Sequence, residues 1–322
     1  MSLRIGILGP IPRDTITTHR GEEIKKYGCV THPAVGLSRL LGADDRVVPV
    51  AHIHEVDEDA VVDLLEPYGN IELQHISSVH DQGAVVQLVF LNQNDREETQ
   101  TGAMRPISPT DVLGAECSVY VCVPITDYEV PLETLISMKE DSEALVIFDA
   151  HGPTTQVDLS GHRFRVHWTD MLEWLPFIDV LKMNLEESLY CFYPPGEVGD
   201  YDSGQRDHLD ALAELVLGAG VQHLYVTLDS DGCQWYTLVN GEIQSVFVPA
   251  YPVDHVVDTT GCGDSFAGGL AFGFGRFGDP LLAAQYANLL GAMRTQGKTF
   301  EVFQDFEQTE RMRQEYYGAK ES

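Results

Sequence analysis

Asp258-Thr-Thr-Gly-Cys-Gly-Asp-Ser-Phe-Ala-Gly-Gly269 decides how the rest of this chain is read. Gly261, Cys262 and Gly263 stand directly before a carboxylate, Asp264, and an Ala/Gly/Leu run that packs as a tight helix follows. Glycines let a backbone approach a ligand closely. The first turn of a helix offers unpaired N–H groups to an anion. A phosphate drawn there lies beside Asp264, and a carboxylate in that position makes sense if it takes the proton of an attacking hydroxyl. The layout is that of a phosphoryl-transfer site. The plainer structural reading is a glycine-rich helix cap whose acidic residue the helix dipole favours.

The bulk numbers set the frame. With 322 residues, 43% of them hydrophobic, the chain has enough apolar material for one large domain with an appendage. There is no run of about 18 apolar residues and no basic-then-apolar leader pattern, so a soluble cytoplasmic protein is expected. The cysteines (Cys29, Cys117, Cys122, Cys191, Cys233 and Cys262) form no C-x-x-C pair. They read as buried thiols of a reducing compartment rather than zinc ligands or disulfides. Fifty Asp and Glu against twenty Lys and Arg give a formal net charge of −30, a surface that repels nucleic acid and anionic membranes. Such an acidic, lysine-poor surface suits a salt-rich source and equally an ordinary acidic cytosolic enzyme. A polyphosphate binding to this chain needs divalent metal and backbone dipoles as compensation.

Short apolar runs alternate with amphipathic stretches, which predicts an α/β fold with a mostly parallel sheet. Strands are expected at Arg4–Leu8, Val47–His52, Ser118–Val123, Ala144–Phe148, Val180–Met183 and His223–Leu228. Helices are expected at Ala34–Leu41, Asp57–Glu66, Pro131–Glu140, Leu185–Tyr190, Gln205–Gly218, Asp264–Phe274 and Pro280–Thr295, with a further helix in the charged tail. Two polar regions break the alternation. One is Thr15–Gly28; the other reads as a hairpin with strands Ala84–Leu91 and Arg96–Thr101 around a turn at Asn92-Gln-Asn-Asp95. An extended polar pair inserted in an α/β sequence is naturally a lid.

The segment around Asp264 closely resembles the D-T-T-G-A-G-D signature of the ribokinase-like (PfkB) carbohydrate kinases, with Cys262 where alanine is usual. The resemblance spans about Arg4 to Gly297. It implies an α/β, ribokinase-like three-layer sandwich with a mostly parallel central sheet and a small β-sheet lid. Here that is one domain over residues 1–322, with lid segments at about 15–28 and 79–102. It further implies Asp264 as catalytic base, the amides of Gly261, Cys262 and Gly263 as anion hole, ATP with Mg2+ as donor, and a small sugar or polyol as acceptor. In such proteins the lid often forms a homodimer contact.

Other segments extend the resemblance. Asn184-Leu-Glu-Glu187, at a strand-to-helix junction, matches the N-x-x-E motif tied to magnesium and phosphate, with Glu187 acting through metal-bound water; an Asn cap with a Glu one turn later is the structural alternative. Thr227-Leu-Asp-Ser-Asp-Gly232 resembles a T-L-G-x-x-G turn that lies on the nucleotide, although Asp229 and Asp231 replace the usual residues. Asn288 stands where an Asn near the adenine is often found, and Asp258 with Thr260 where some members hold a monovalent cation such as K+. At the acceptor end Asp14 resembles the Asp that binds sugar hydroxyls, a task that suits an acceptor of two protons. Tyr27-Gly-Cys-Val-Thr-His-Pro33 corresponds to a G-G-x-x-x-N segment in which Gly28 is kept, Cys29 replaces the second Gly and Pro33 replaces Asn. Thr31 and His32 are the replacement contacts, and Asp149 at a strand end is a secondary one.

The expected reaction is therefore transfer of the ATP γ-phosphoryl group to a hydroxyl of a small sugar-like alcohol. A nucleoside acceptor, stacked on Tyr27 or Phe90 near the lid, is the rival within the class. A sugar or nucleotide sensor with weak catalysis is the alternative outside it. A dinucleotide-dependent oxidoreductase is disfavoured, because Gly6-Ile-Leu-Gly9-Pro10 lacks G-x-G-x-x-G and Pro10 has no amide to donate. His52-Ile-His54 with Glu55 and Asp57 reads as a solvated loop rather than a metal cluster, and Cys262 as a small turn residue rather than an activated thiol.

Overall fold

The computed structural model describes residues 2–91, 96–198 and 204–318, so the expected turn at Asn92–Asp95 lies outside the described residues. In chain order the elements are β1 (Arg4–Leu8), β2 (Arg13–Thr17), β3 (Glu23–Tyr27), α1 (Thr31–Leu40), β4 (Arg46–His52), α2 (Glu58–Leu65), β5 (Ile76–Ser77), β6 (Val85–Phe90) and β7 (Arg96–Gly102). Next come α3 (Pro109–Val112), β8 (Val119–Cys122), α4 (Leu132–Asp141), β9 (Leu145–Asp149), β10 (Thr155–Val157), β11 (Arg163–Arg165), α5 (Met171–Trp174), β12 (Val180–Asn184), α6 (Leu185–Phe192) and α7 (Leu209–Gly218). The last are β13 (His223–Thr227), β14 (Gly232–Val239), β15 (Glu242–Pro249), α8 (Cys262–Phe277), α9 (Pro280–Thr295) and α10 (Phe306–Tyr317).

The central sheet has nine strands in the order β15-β14-β13-β12-β9-β8-β1-β4-β5. Its strands from β13 to β5 run parallel, and β14 and β15 add an antiparallel edge. Alternation along each strand divides the core in two. Ile5 and Ile7 of β1 join the cluster under α1, α8 and α9, whereas Leu8 joins the one built with α4, α6 and α7. Helices therefore cover both faces, the arrangement a parallel sheet with apolar residues on both sides demands. Trp168 and Trp174 pack around Phe148 in the second core.

A separate four-stranded sheet, in the order β3-β2-β6-β7, forms from the two polar regions. One face of it is apolar, with Ile16, Val86 and Leu88 in contact. A ribbon of β10 and β11 reaches the outer edge of β7, where the Gln100 amide donates to the Gly161 carbonyl at 2.7 Å. Sequence patterning does not anticipate β14 and β15. Their hairpin signal is nonetheless present, since Asn240 and Gly241 form the turn at φ 53° and 83°, the left-handed pair that a two-residue hairpin requires.

Candidate active site

The sheet topology brings the C-terminal ends of β1, β9, β12 and β13 to one rim, where open α/β sheets bind ligands. The turn before α8 lies there. Gly261, at φ 84°, is its N-cap, and the Ser265 hydroxyl donates to the Gly261 carbonyl at 2.8 Å. The Cys262 amide already donates to the Thr259 carbonyl at 3.2 Å, so the turn itself uses one of the three amides expected to receive an anion. Cys262 is no activated thiol, because burial pushes its pKa up.

Asp264 sits in the first turn of α8 and keeps an accessible face. Desolvation by the surrounding protein raises its pKa above the ordinary range, against the pull of the Lys182 ammonium and the Cys29 thiol. The Cys29 Sγ lies 3.8 Å from Asp264 Oδ1 and donates to the Val123 carbonyl at 2.9 Å.

Lys182 is the residue the sequence reading missed. It lies on β12, buried, with Nζ 2.7 Å from Asp149 Oδ2. A Cβ placed on Gly263 would stand 3.2 Å from that Nζ, so the ammonium lines the anion-hole turn. Burial alone would strip its proton, but Asp149 and Glu187 hold it above the usual lysine value. The pattern Lys182-Met-Asn184 carried the signal: alternation puts both polar side chains on one face of a strand that is otherwise apolar.

Asp149, expected to touch substrate, is instead the buried counter-ion of Lys182. Asn184 and Glu187 form a reciprocal cap at the start of α6. The Asn184 amide donates to Glu187 Oε2 at 2.8 Å, and the Glu187 amide donates to Asn184 Oδ1 at 2.7 Å. Glu187 Oε1 also accepts from the Asn184 side chain at 3.0 Å and from Arg165 at 3.2 Å, and lies 2.8 Å from His151 Nδ1. Oε1 is therefore filled, whereas Oε2 accepts only from the Asn184 amide, so direct magnesium ligation at Oε1 would dismantle this network and a metal-bound water would have to reach Oε2. Among the described residues no three His, Cys, Asp or Glu side chains are grouped to hold a metal. The set His52, His54, Glu55 and Asp57 is likewise dispersed: His52 lies 3.3 Å from Asp111, and His54 caps the Val56 amide.

At the acceptor end Asp14, on β2, is buried, and desolvation raises its pKa to about 7. Gly28 explains itself here: a Cβ at that position would overlap Asp14 Oδ2. Gly28→Ala should therefore push the carboxylate aside and raise the acceptor KM roughly ten- to a hundredfold, the value of one or two charged hydrogen bonds, with kcat little changed in steady-state assays. Cys29, at φ 46°, occupies a conformation that glycine holds more easily, which accounts for the usual second Gly. The substrate contact expected of Thr31 is not made there. Its fully buried hydroxyl donates to the Tyr27 and Gly28 carbonyls at 2.9 and 3.1 Å and so holds the loop. The Tyr27 hydroxyl donates to Asp57 at 2.8 Å, which fixes the ring without covering its face, and the Arg96 guanidinium lies over one face of Phe90.

Thr227 ends β13 and Gly232 opens β14, on either side of the turn that carries Asp229 and Asp231. Asp231 turns outward to Arg206, 2.6 Å away, which removes one of the two charges that would oppose a polyphosphate. Asn288 does not present its amide to a ligand: it donates to the Val248 and Pro249 carbonyls at 3.2 and 3.1 Å and ties α9 to the end of β15.

Residues 141–300 match the profile of the pfkB family carbohydrate kinases. The chain belongs to that family. Deoxyribokinase of Salmonella typhi is 26% identical to this kinase over 251 residues, 76% of this chain and 73% of the relative. Among solved structures, Arabidopsis thaliana ribokinase complexed with ribose and ATP superposes with a TM-score of 0.74 at 17% identity, covering 97% of this kinase and 99% of that chain. A pyrophosphate-dependent kinase in the ribokinase family, complexed with a pyrophosphate analogue and myo-inositol, gives 0.72 at 14%, covering 92% and 98%. These similarities establish the ribokinase-like fold with its small separate sheet. No described helix of the kinase is long and apolar enough to cross a membrane.

Proposed function

We propose that this kinase transfers the γ-phosphoryl group of ATP, carried as its magnesium complex, to a hydroxyl of a small sugar or sugar-like alcohol. The observation that carries the reading is Asp264 at the N-terminus of α8, accessible, desolvated and beside the Lys182 ammonium. Asp264 takes the proton of the acceptor hydroxyl as the oxygen attacks phosphorus. The amides of Gly261 and Gly263, the start of α8 and Lys182 steady the charge on the moving phosphoryl group. Asp14 accepts hydrogen bonds from other acceptor hydroxyls and sets their register. The small sheet acts as a lid that excludes water and suppresses wasted hydrolysis. Pairing of two copies would use the open β3 edge of that lid, because β7 is already covered by the β10–β11 ribbon.

The relatives support a polyol acceptor: one is a deoxyribokinase, and two superposed structures hold ribose and myo-inositol. Because one of these uses pyrophosphate, the decisive assay pairs ATP and pyrophosphate with a panel of pentoses, hexoses, inositols and nucleosides, and follows product formation. Turnover with a sugar or polyol supports the reading. Turnover confined to nucleosides transfers it to the nucleoside kinases, and binding without turnover sinks it.

The pH dependence follows from Asp14. Burial pushes its carboxyl up to about 7 in the free protein, so below that pH it becomes a hydrogen-bond donor on one oxygen and loses the double acceptor. The acceptor kcat/KM should fall at least about tenfold per unit as pH drops below 7, and Asp14→Asn should remove the step near 7 while leaving the acid limb that belongs to Asp264. An acid limb at ordinary Asp values would contradict the assignment.

A further inference from the structure

The loop that leads into the anion hole carries a cation made of protein. Asp258 Oδ2 lies 2.6 Å from Lys26 Nζ and 3.0 Å from an Arg294 guanidinium nitrogen, and Asp258 Oδ1 accepts from the Thr260 amide at 2.9 Å. Arg294 donates from its other nitrogens to the Gly297 carbonyl at 2.6 Å and to His32 Nδ1 at 3.0 Å. The carboxylate and a nearby carbonyl are thus already taken by donors. Since His32 Nδ1 accepts from Arg294, a neutral ring carries its hydrogen on Nε2, and an N–H cannot ligate a metal ion. Among the buried side-chain oxygens of this cluster, the Thr260 hydroxyl is the one without a partner. A potassium ion at the Asp258 carboxylate would stand beside two cations, Lys26 and Arg294, already within 3.0 Å of it. The expected monovalent-cation site at Asp258 and Thr260 does not fit such an ion.

We propose that Lys26 and Arg294 fill the position of an activating monovalent cation, so that this kinase works without one, and that Lys26 is a positioning residue for the anion hole. The proposal rests on the kinase reading. Lys26 is carried by β3 of the small sheet, directly opposite Asp14 in the β2–β3 register. Arg294 is carried by α9, and its exposure is 1%. Together they neutralise Asp258, which stands six residues before the base, and hold the Asp258–Gly261 loop from both sides. Burial would raise the Asp258 pKa, yet Lys26, the Thr260 amide and Arg294 bring it to about 2. The carboxylate is therefore a permanent anion, and its pull opposes the burial that lowers the Lys26 pKa. The Lys26 contact also ties the small sheet to the turn that receives phosphate, so acceptor and donor ends share one salt bridge.

The test compares ions at constant ionic strength, with tetramethylammonium chloride replaced by potassium or ammonium chloride. In the wild-type protein the exchange should alter kcat by less than about twofold, and it should leave the melting temperature unchanged. Lys26→Ala should lower kcat about tenfold, with the acceptor KM nearly constant when compared well above pH 7, since Lys26 also lowers the Asp14 pKa, and added ammonium or potassium should restore most of the loss of kcat. The same ions should raise the melting temperature of Lys26→Ala, because a ligand that binds only the folded state stabilises it. Lys26→Arg, which keeps the charge, should remain active and insensitive to the ions. Activation or thermal stabilisation of the wild-type protein by potassium overturns the proposal, and so does a Lys26→Ala variant with undiminished kcat. If no acceptor is turned over, the kinase reading fails, and the melting curves still decide whether the site takes an ion.

Discussion

Asp264→Asn is expected to lower kcat about a thousandfold, within the range that a positioned general base contributes, while nucleotide affinity stays the same or tightens. The substitution keeps shape and volume but removes the lone pair that takes the hydroxyl proton. It also deletes a negative charge beside the phosphate site, which relieves repulsion in the ground state. A factor of a thousand corresponds to about 4 kcal/mol of transition-state stabilisation. The wild-type kcat profile should carry an acid limb above the ordinary Asp range, because desolvation favours the protonated, inactive form. That limb should vanish in the variant. A sensor that binds without turnover would be indifferent to the change in every binding assay. A variant with near-wild-type kcat would remove Asp264 from the chemistry altogether.

Much of the fold is legible in the sequence because periodicity reports which face of an element is buried. The apolar runs of β1, β4, β8, β9, β12 and β13 are expected within about a residue of where they lie, and the two polar regions do make the small sheet. What periodicity does not report is the partner. Lys26 and Asp258 are separated by 232 positions, and His32 and Arg294 by 262, so neither pair exists until the sheet is assembled. Cations that look scattered along the chain, Lys26, Lys182, Arg165 and Arg294, meet Asp258, Asp149, Glu186 and Glu187 only in the folded protein. Corrections arise in the same way. Thr31, Asp149, Glu187 and Asn288 have side chains suited to ligands, but each is engaged by a buried backbone or charged group that would otherwise lack a partner. Gly28 and Gly261 were readable because a glycine records a close approach, though not what approaches.

Gly261→Ala is the second large effect, and it isolates the turn from the base. An alanine at φ 84° costs about 1–2 kcal/mol in backbone strain alone. The added methyl would also overlap the His32 ring at Cδ2, Cγ and Nε2. That ring cannot yield cheaply. It is fully buried, held at Nδ1 by Arg294 at 3.0 Å and packed edge-on against Phe300 at 5.4 Å. The turn must therefore move instead, and with it the amides that face the phosphoryl group. Losing one well-aimed donor of this kind costs about a hundredfold or more in kcat, so a decrease of at least that size is expected. The acceptor KM should hold, because Asp14 and Gly28 lie on other elements and are untouched. The melting temperature should fall by about 1–2 °C for each kcal/mol lost in a protein of 322 residues. Adding His32→Ala removes the overlap but not the strain, and it takes from Arg294 one of its three acceptors. The double variant should thus recover part of the melting temperature and little of the kcat. Recovery of both together would mean that the clash alone disturbs the turn. A single Gly261→Ala protein with wild-type kcat would show that the amides before Asp264 do not touch the transferred group.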